Sequence, residues 1–339
     1  MPTQSPSTLN VCVNVESWPL REPFTISRRT FTASLVATAC VSDREGHVGY
    51  GECEPHEWSE GAAIDLVMQA GLIPDAVCSP SWANGLVRGN LGERLGRSTL
   101  RNAIDCALWD LESKATGTPA HSLAGLPWRP VPVMPTLGID TPEAMARAAS
   151  KHRGTRWLKV KVGSSDGQDA TRIEAVAAAV PGTDLLLDAN AGWSPAVLAA
   201  LLPLCRRLGV RIIEQPLPPS LDESMPRPVG DILFCADESC LDRTSLPAVR
   251  ERFQYINIKL DKAGGLTEAL ALRAEAESLG LGVMIGMMSG SSLAVAPAFL
   301  LAQGLDVVDL ELGFLVRDRE APMRIENACL QPPGRDLWG

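Results

Sequence analysis

Five charged residues, Lys161, Asp188, Glu214, Asp237 and Lys259, follow one another at intervals of 27, 26, 23 and 22 positions. Each closes a short apolar run: WLKVKV, DLLLDAN, RIIEQP, ILFCADES and YINIKL. Intervals of that size hold one strand, one loop and one helix, so the repeat reads as successive βα units. The intervening stretches 169–180, 194–209 and 266–280 have helical character. The last has Thr267 near its start, Glu268 in its first turn and Gly280 just beyond its end, which are helix boundary signals. Apolar runs at 131–139, 281–288 and 307–312 extend the rhythm. Strands are therefore expected around Val131, Leu158, Leu185, Ile212, Leu233, Ile256, Val283 and Val307. Parallel strands alternating with helices in this way close most simply into an α/β barrel.

Charge at the end of a buried strand needs a reason, because an unpaired buried charge is costly. In a parallel barrel the chemistry gathers at the C-terminal ends of the strands, which is where these residues fall. Side-chain alternation sets Lys159 beside Lys161 on one side of their strand, and Asp188 beside Asn190 on one side of the next. Three carboxylates converging from adjacent strands would repel one another unless a cation sat among them. An all-oxygen donor set favours a hard divalent ion, Mg²⁺ foremost. The four histidines, His47, His56, His121 and His152, all precede the second expected barrel strand, which argues against a His-ligated zinc in the barrel.

The sequence ahead of the barrel has a different texture. Residues 9–54 alternate polar and apolar, with a reversal at 43–47, the pattern of a small antiparallel meander. A helix with a broad apolar stripe is expected at 100–117, and the proline-bearing stretch 125–135 marks the crossing into the barrel. The expected division is an α+β capping domain over 1–128, the barrel over 129–315, and a segment 316–339 packing back on the capping domain. A chain of 339 residues, 45% hydrophobic and 21% charged, has room for two such units and a large core.

A net charge of −9 and the lack of any Lys/Arg block disfavour nucleic acid as a partner. No apolar run is long enough for a membrane span, and the first residues lack the charged-then-apolar pattern of an export signal, so the expected location is the cytoplasm. The nine cysteines are scattered without C-x-x-C pairs and read as reduced packing residues.

Several segments together carry a family resemblance: SWPLREPFTISR (17–28), GYGECEP (49–55), RNAIDCALWDL (101–111), then LKVKVG, DAN, EQPLP, CADESC and NIKLDKAGGLTEALAL. Over nearly its whole length the sequence resembles the enolase superfamily, in its muconate-lactonizing-enzyme subgroup, and within that the dipeptide epimerases. The resemblance implies an enolase-type modified (β/α) TIM barrel under an N-terminal α+β cap. It implies one Mg²⁺ per subunit on Asp188, Glu214 and Asp237, and Lys161 with Lys259 as the catalytic pair. Asn190 and Glu238 would support them, and Thr136, Lys159, Met287, Ser289, Asp309, Glu311 and Phe31 would meet the substrate. A lysine base working with Mg²⁺ is the superfamily's general pattern.

The chemistry so implied has a clear physical demand. A proton next to a carboxylate is very weakly acidic, and its removal needs a preorganised electrophile. Lys159, together with the metal, is expected to lower the working pKa of Lys161. Strands two and six face each other across a barrel, so Lys161 and Lys259 would flank the substrate. One would withdraw the α-proton and the other return it to the opposite face, inverting the carbon. The early histidines also argue against the late-strand His/Asp dyad of sugar-acid dehydratases. His56, in the loop EPHEWSEG, is expected near the mouth of the site.

Substrate choice rests on three local features. Asp309-Leu310-Glu311 matches the D-x-D pair with which dipeptide epimerases hold the substrate ammonium, with Glu311 in place of the usual Asp. Phe31 stands where Ala-Glu-acting members carry an arginine, although Arg28 and Arg29 lie close by. With Trp58, Phe31 predicts an apolar or aromatic side chain on the inverted C-terminal residue. GMMSGSS (286–292) differs from typical members, and Met287 is an adaptable contact. An N-acylamino acid racemase or o-succinylbenzoate synthase would use the same lysines and metal without needing the acidic pair. A muconate-type cycloisomerase would bind a dianion that Asp309 and Glu311 repel. A non-catalytic metal-dependent binding protein would have no use for two lysines. The expected partner is a small dipeptide, and members of the family resembled are often homo-oligomers.

Overall fold

The computed structural model describes residues 9–55, 95, 99–226 and 231–339. His56 and Trp58 lie outside the described residues. The chain opens with an antiparallel meander of β1 (Asn10–Thr25), β2 (Thr30–Ser42) and β3 (Val48–Cys53), as the alternation at 9–54 predicts. Helix α1 (Thr99–Thr116) lies on it, and glycine sets the distance. A Cβ at Gly49 would come within 2.1 Å of the Ala107 carbonyl oxygen, and one at Gly51 within 2.1 Å of that of Ala103. Only glycine lets the helix backbone approach so closely. Ala37, Ala39 and Val41 of β2 pack there against Leu100, Ile104 and Leu111.

The barrel wall is a parallel seven-stranded sheet among the described residues: β5 (Thr136–Leu137), β6 (Trp157–Lys161), β7 (Asp184–Asp188), β8 (Val210–Glu214), β9 (Leu233–Ala236), β10 (Tyr255–Ile258) and β11 (Gly282–Ile285), neighbours in that order. Helices α2 (Pro142–Ser150), α3 (Asp169–Ala179), α4 (Pro195–Arg207), α5 (Leu260–Ala263), α6 (Leu266–Ser278) and α7 (Ser292–Leu301) alternate with these strands. Period-two alternation sorts the side chains. Leu158, Val160, Leu185, Leu187, Ile213, Phe234, Ala236, Ile256 and Ile258 belong to the large core shared with the helices. Leu186, Ile212, Cys235 and Met284 form a separate inner cluster. The lysines and carboxylates of the repeat continue that second, inward set.

Two expected strands differ from the structure. Val131 lies in β4 (Val131–Pro132), which pairs antiparallel with β13 (Cys329–Leu330), itself paired with β12 (Ile325–Glu326). The first barrel strand starts five residues later, at Thr136. Pro132 and Pro135 each lack a backbone N–H, so this run cannot support a continuous ladder. The eighth strand, expected at Val307, is reduced to one bridge between Ile285 and Val308. The chain then leaves the barrel for the capping sheet, where Leu315 bridges Leu20 and the Val316 N–H donates to the Pro19 carbonyl at 2.9 Å. Near its end the Trp338 indole donates to the Cys106 carbonyl at 3.0 Å.

The cap of α6 is also found elsewhere than its own sequence suggests. Its N-cap, Gly265, offers no side chain, and Thr267 is held by Asp105 of α1, which accepts from the Thr267 N–H at 2.8 Å and its hydroxyl at 2.7 Å. The carboxylate satisfies an orphan helix donor and ties the two parts of the molecule together. Among the described residues no helix is long and apolar enough to cross a membrane, and eight cysteines are free thiols.

Candidate active site

Strand register brings the acidic side chains to one level. Lys161 is paired with Asp188 and Asp188 with Glu214, while Asp237 follows directly on β9. Carboxylate oxygens of Asp188, Glu214 and Asp237 all lie within 4.8 Å of one another, and all three residues are buried. Three ionised carboxylates at that separation demand positive charge. In this structure lysines provide it. Lys159 Nζ lies 3.0 Å from Asp188, 2.8 Å from Glu214 and 2.7 Å from Asp309. Lys161 donates to Asp188 Oδ2 at 2.6 Å and Asn190 Oδ1 at 2.9 Å. Lys259 donates to Asp237 Oδ2 at 2.6 Å.

The electrostatics follow from this packing. Burial pushes the Asp188 carboxyl up, but Lys159 and Lys161 outweigh it and hold the group below its ordinary range. Burial likewise opposes charge on Asp237, which Lys259 and Lys262 keep ionised well below the usual value. Glu214, dominated by burial and the neighbouring Asp188 charge, rises to about 7. Burial pushes the Lys159 ammonium down, yet Asp188, Asp309 and Glu214 together lift it well above its normal value. Lys159 is thus a fixed positive charge. Asp188 Oδ2 lies between the two ammonium groups, 3.0 Å from Lys159 and 2.6 Å from Lys161. Lys159 lines the cavity beside Lys161, and its ammonium also spans two carboxylates of the triad and Asp309.

The donor set fits a hard divalent cation. It offers oxygen alone, converges from successive strands, and has no His or Cys among its atoms. Backbone geometry reinforces the arrangement. Asn190, Ala191 and Gln215 adopt positive φ values of 43°, 61° and 32°, a costly conformation for residues with a Cβ. The turn after Asp188 sends the Asn190 side chain back to Lys161, and the turn after Glu214 lets Gln215 Oε1 accept from the Asp237 N–H at 3.0 Å.

The space above the triad consists of two adjoining cavities of about 80 and 100 Å³, both lined by Phe24, Lys161, Lys259, Met287 and Ser289. The first also takes in Thr136, Lys159, Asp309 and Glu311, and the second Arg28, Phe31, Asn190, Asp237 and Glu238. The sequence-predicted substrate residues are therefore gathered around the two lysines. Thr136 donates to Asp309 Oδ1 at 3.1 Å. Among the described residues the buried Glu311 Oε2 has no hydrogen-bond partner, and burial followed by the Asp309 charge raises its carboxyl to about 8. Glu238 accepts from Arg28 at 3.2 Å, and burial followed by the Asp237 charge raises it to about 8. The Arg29 guanidinium carbon stands 4.1 Å from the centre of the Phe31 ring.

Three residues at the site go beyond the predicted set, Lys262 and Asn257 buried and Glu54 partly so. Lys262 donates to Asp237 Oδ1 at 2.6 Å and to the backbone carbonyls of Asp237, Cys240 and Asn257. Asn257 donates to Glu214 Oε1 at 2.7 Å. Both belong to the NIKLDK segment, and Asn257 sits two positions before Lys259, on the same strand face. Glu54 joins the cap to the barrel by accepting from the Ser34 hydroxyl and the Ser289 N–H, each at 2.9 Å. Burial lifts its carboxyl from 4.5 to about 7.

That shift has a definite sign. Because the folded-state value lies above the ordinary one, the stability Glu54 contributes is full below about 4.5 and is lost as pH rises through about 7. Asp261, which accepts from the Glu54 N–H at 3.1 Å and is itself raised to about 7 chiefly by burial, adds to the same trend. Glu54→Gln keeps the shape without the charge. Denaturant titration should find it more stable than the parent by about 1–2 kcal/mol at pH 8, with the gain vanishing at pH 4. A gain independent of pH would contradict this account.

Comparison with known proteins places these features in a family. Residues 143–335 match the enolase C-terminal domain-like family model, and residues 8–125 match the mandelate racemase/muconate lactonizing enzyme N-terminal domain. The chain is 37% identical over 300 residues to the L-Ala-D/L-Glu epimerase of Escherichia coli, covering 87% of this chain and 91% of that one. An enolase family member from Agrobacterium tumefaciens with homology to dipeptide epimerases, solved with sodium and L-Ala-L-Glu, superposes with a TM-score of 0.91 at 38% identity. That match covers 98% of this chain and all of the other. A dipeptide epimerase from Enterococcus faecalis, complexed with Mg and L-Leu-L-Tyr, gives a TM-score of 0.89 at 27% identity over 97% of this chain and 99% of its own. The chain belongs to the enolase superfamily, in its mandelate racemase and muconate lactonizing enzyme group, and is an isomerase of the epimerase and racemase kind.

Proposed function

We propose that the protein is a Mg²⁺-dependent dipeptide epimerase that inverts the α-carbon of the C-terminal residue by two-base proton transfer. The observation that carries this reading is the placement of Lys161 and Lys259 on opposite strands of one barrel, lining the same two cavities beside the acidic triad. Asp188, Glu214 and Asp237 are the residues that would hold the cation, one per subunit. When bound, a divalent ion there supplies electrophilic stabilisation of negative charge on a substrate carboxylate. The chain's own groups do the rest. One lysine withdraws the α-proton, leaving a planar enolate, and the other returns a proton to the opposite face. Proton uptake by one amine balances release by the other, so reversal regenerates the starting state. Deuterium uptake at the α-carbon of L-Ala-L-Xaa in D₂O, with appearance of the other epimer, tests this directly. Uptake by no dipeptide would sink it.

The acidic pair just after the Val308 bridge orients the substrate. Asp309 and Glu311 face the lysine cavity, and the unpartnered Glu311 Oε2 suits an ammonium group. An N-acylated substrate would leave it unsatisfied, which favours a free amino terminus over the N-acylamino acid racemase alternative. Two working lysines set the reading apart from a binding protein. With its eight described thiols free, the enzyme fits the reducing cytoplasm.

At the inverted residue, Phe31, Met287 and Met288 give the cavity an apolar wall, so the proposed preference is for an uncharged side chain. A second reading has one observation behind it: Arg28 lines the same cavity with its side chain 48% exposed, and could receive the carboxylate of a C-terminal glutamate. The two separate cleanly. The first expects kcat/KM for L-Ala-L-Phe to exceed that for L-Ala-L-Glu by about tenfold or more, with Phe31→Arg reversing the order. Higher turnover of L-Ala-L-Glu, lost on Arg28→Ala, would establish the second.

A further inference from the structure

Beside the catalytic cavity lies a larger one of about 450 Å³, within the range of small-molecule sites. It arises from three local features. The β1–β2 pairing breaks between Pro19 and Phe24, and Arg21, bonded to the Phe314 and Leu315 carbonyls, stands there with Glu22 and Pro23 as a wall. Strand β5 is two residues long. After its last bridge at Val308 the chain departs for the cap, leaving the α2 face that carries Ala144, Met145 and Ala148 open to the cavity.

Three residues belong to both spaces: Phe24, Thr136 and Phe314 line this cavity and the lysine cavity alike. Phe24 and Phe314 meet edge to face, 5.1 Å between ring centres at 71°, and Gly138 supports the partition, since a Cβ there would press to 3.3 Å from the Phe24 ring. Thr136 Oγ1 donates to Asp309, one of the two carboxylates assigned to the substrate ammonium. The α-carbon that carries that ammonium is thereby set beside the residues the two cavities share, and its side chain is the substrate group nearest the larger one.

We propose that this cavity is a subsite for a bulky apolar side chain on the N-terminal residue of the dipeptide. The assignment rests on the dipeptide reading given above. The inner lining includes Leu137, Ile139, Met145 and the two phenylalanines; Arg21, Glu22 and Asp140 are at the exposed outer rim. Volume and lining both favour a leucine, phenylalanine or tryptophan over alanine.

The test measures α-deuterium incorporation for a series Ala-Xaa, Leu-Xaa, Phe-Xaa and Trp-Xaa sharing one C-terminal residue. The parent should show kcat/KM rising about 10-fold to 100-fold from Ala to the bulky members. Ala144→Phe and Ala148→Phe, two separate ways of filling the same space, should each lower the Phe-to-Ala ratio about tenfold. The ratio is internal to each variant, so partial loss of folded enzyme does not disturb it. A flat series, or ratios untouched in both variants, overturns the subsite while leaving the epimerase reading intact. A series led by Lys-Xaa or Arg-Xaa overturns the apolar assignment in favour of Glu22 and Asp140 on the rim. Exchange with no dipeptide at all overturns the epimerase reading and this inference with it.

Discussion

Lys161→Ala should lose inversion by about a thousandfold or more, the scale on which a positioned acid or base contributes to proton transfer, and Lys259→Ala should do the same. The informative result is an asymmetry. With one lysine gone, the remaining amine still reaches one face of the α-carbon, so in D₂O one epimer should exchange its proton while the other does not, and neither should convert. The two variants should show opposite partners. The fold should survive both changes, because each carboxylate keeps another ammonium. Asp188 retains Lys159 at 3.0 Å when Lys161 is removed, and Asp237 retains Lys262 at 2.6 Å when Lys259 is removed. Inversion at the parent rate in either variant would show that the two amines do not share the work, and exchange of both epimers by one variant would point to a single base.

Removal of the divalent ion should be as damaging to turnover and far less so to the fold. Four lysines already surround the triad: Lys159, Lys161, Lys259 and Lys262 all contact Asp188, Glu214 or Asp237 at 3.0 Å or less. The three carboxylates are therefore not left as bare buried anions. Exhaustive chelation is expected to abolish exchange, restored by Mg²⁺, with far-ultraviolet circular dichroism unchanged. Saturating Mg²⁺ at 100 times its dissociation constant should then raise stability by about 2.7 kcal/mol through preferential binding to the native state. Glu214→Gln makes the complementary test. It preserves shape and one hydrogen bond from Asn257 but withdraws one negative charge from the donor set, so activity should fall by about a thousandfold at fixed Mg²⁺. Full activity after chelation would remove the ion from the proposal.

The barrel was legible because its signal is repeated. A charged residue closing an apolar run says little alone, but the same event at regular intervals fixes strand ends, and alternation then fixes which side chains face inward. Lys161, Asp188, Glu214 and Asp237 are placed by that logic, and register brings them together. Where the signal was a single apolar run, it held at 281–288, which forms β11, and failed at the other two. VPVMPTLGI contains both Val131 and Thr136, and nothing local says that the first half pairs with a strand near the C-terminus while the second enters the barrel. VVDLEL looks like a full strand, yet it makes only one bridge before the chain turns away. Strand pairing is a two-body event, and half of it lies outside the segment being read.

The positions that the sequence left open are those whose neighbours come from far along the chain. Lys262 reads as an ordinary helix lysine until its ammonium meets Asp237, and Asp105 reads as a helix-surface acid until it caps Thr267. Glu54 becomes a bridging carboxylate only because Ser34 and Ser289 meet it from opposite halves of the molecule. By itself, then, the sequence determined the βα repeat, which side chains share a face on its charged strands and where the lysines and carboxylates close those strands, since periodicity and residue chemistry are local properties. Only the tertiary structure decided how many ammonium groups share the three carboxylates, where the barrel remains open, and which cavity adjoins the reacting centre. Those depend on distances between segments joined by long stretches of chain, and electrostatic and packing energies are set by distance in space rather than by position in sequence.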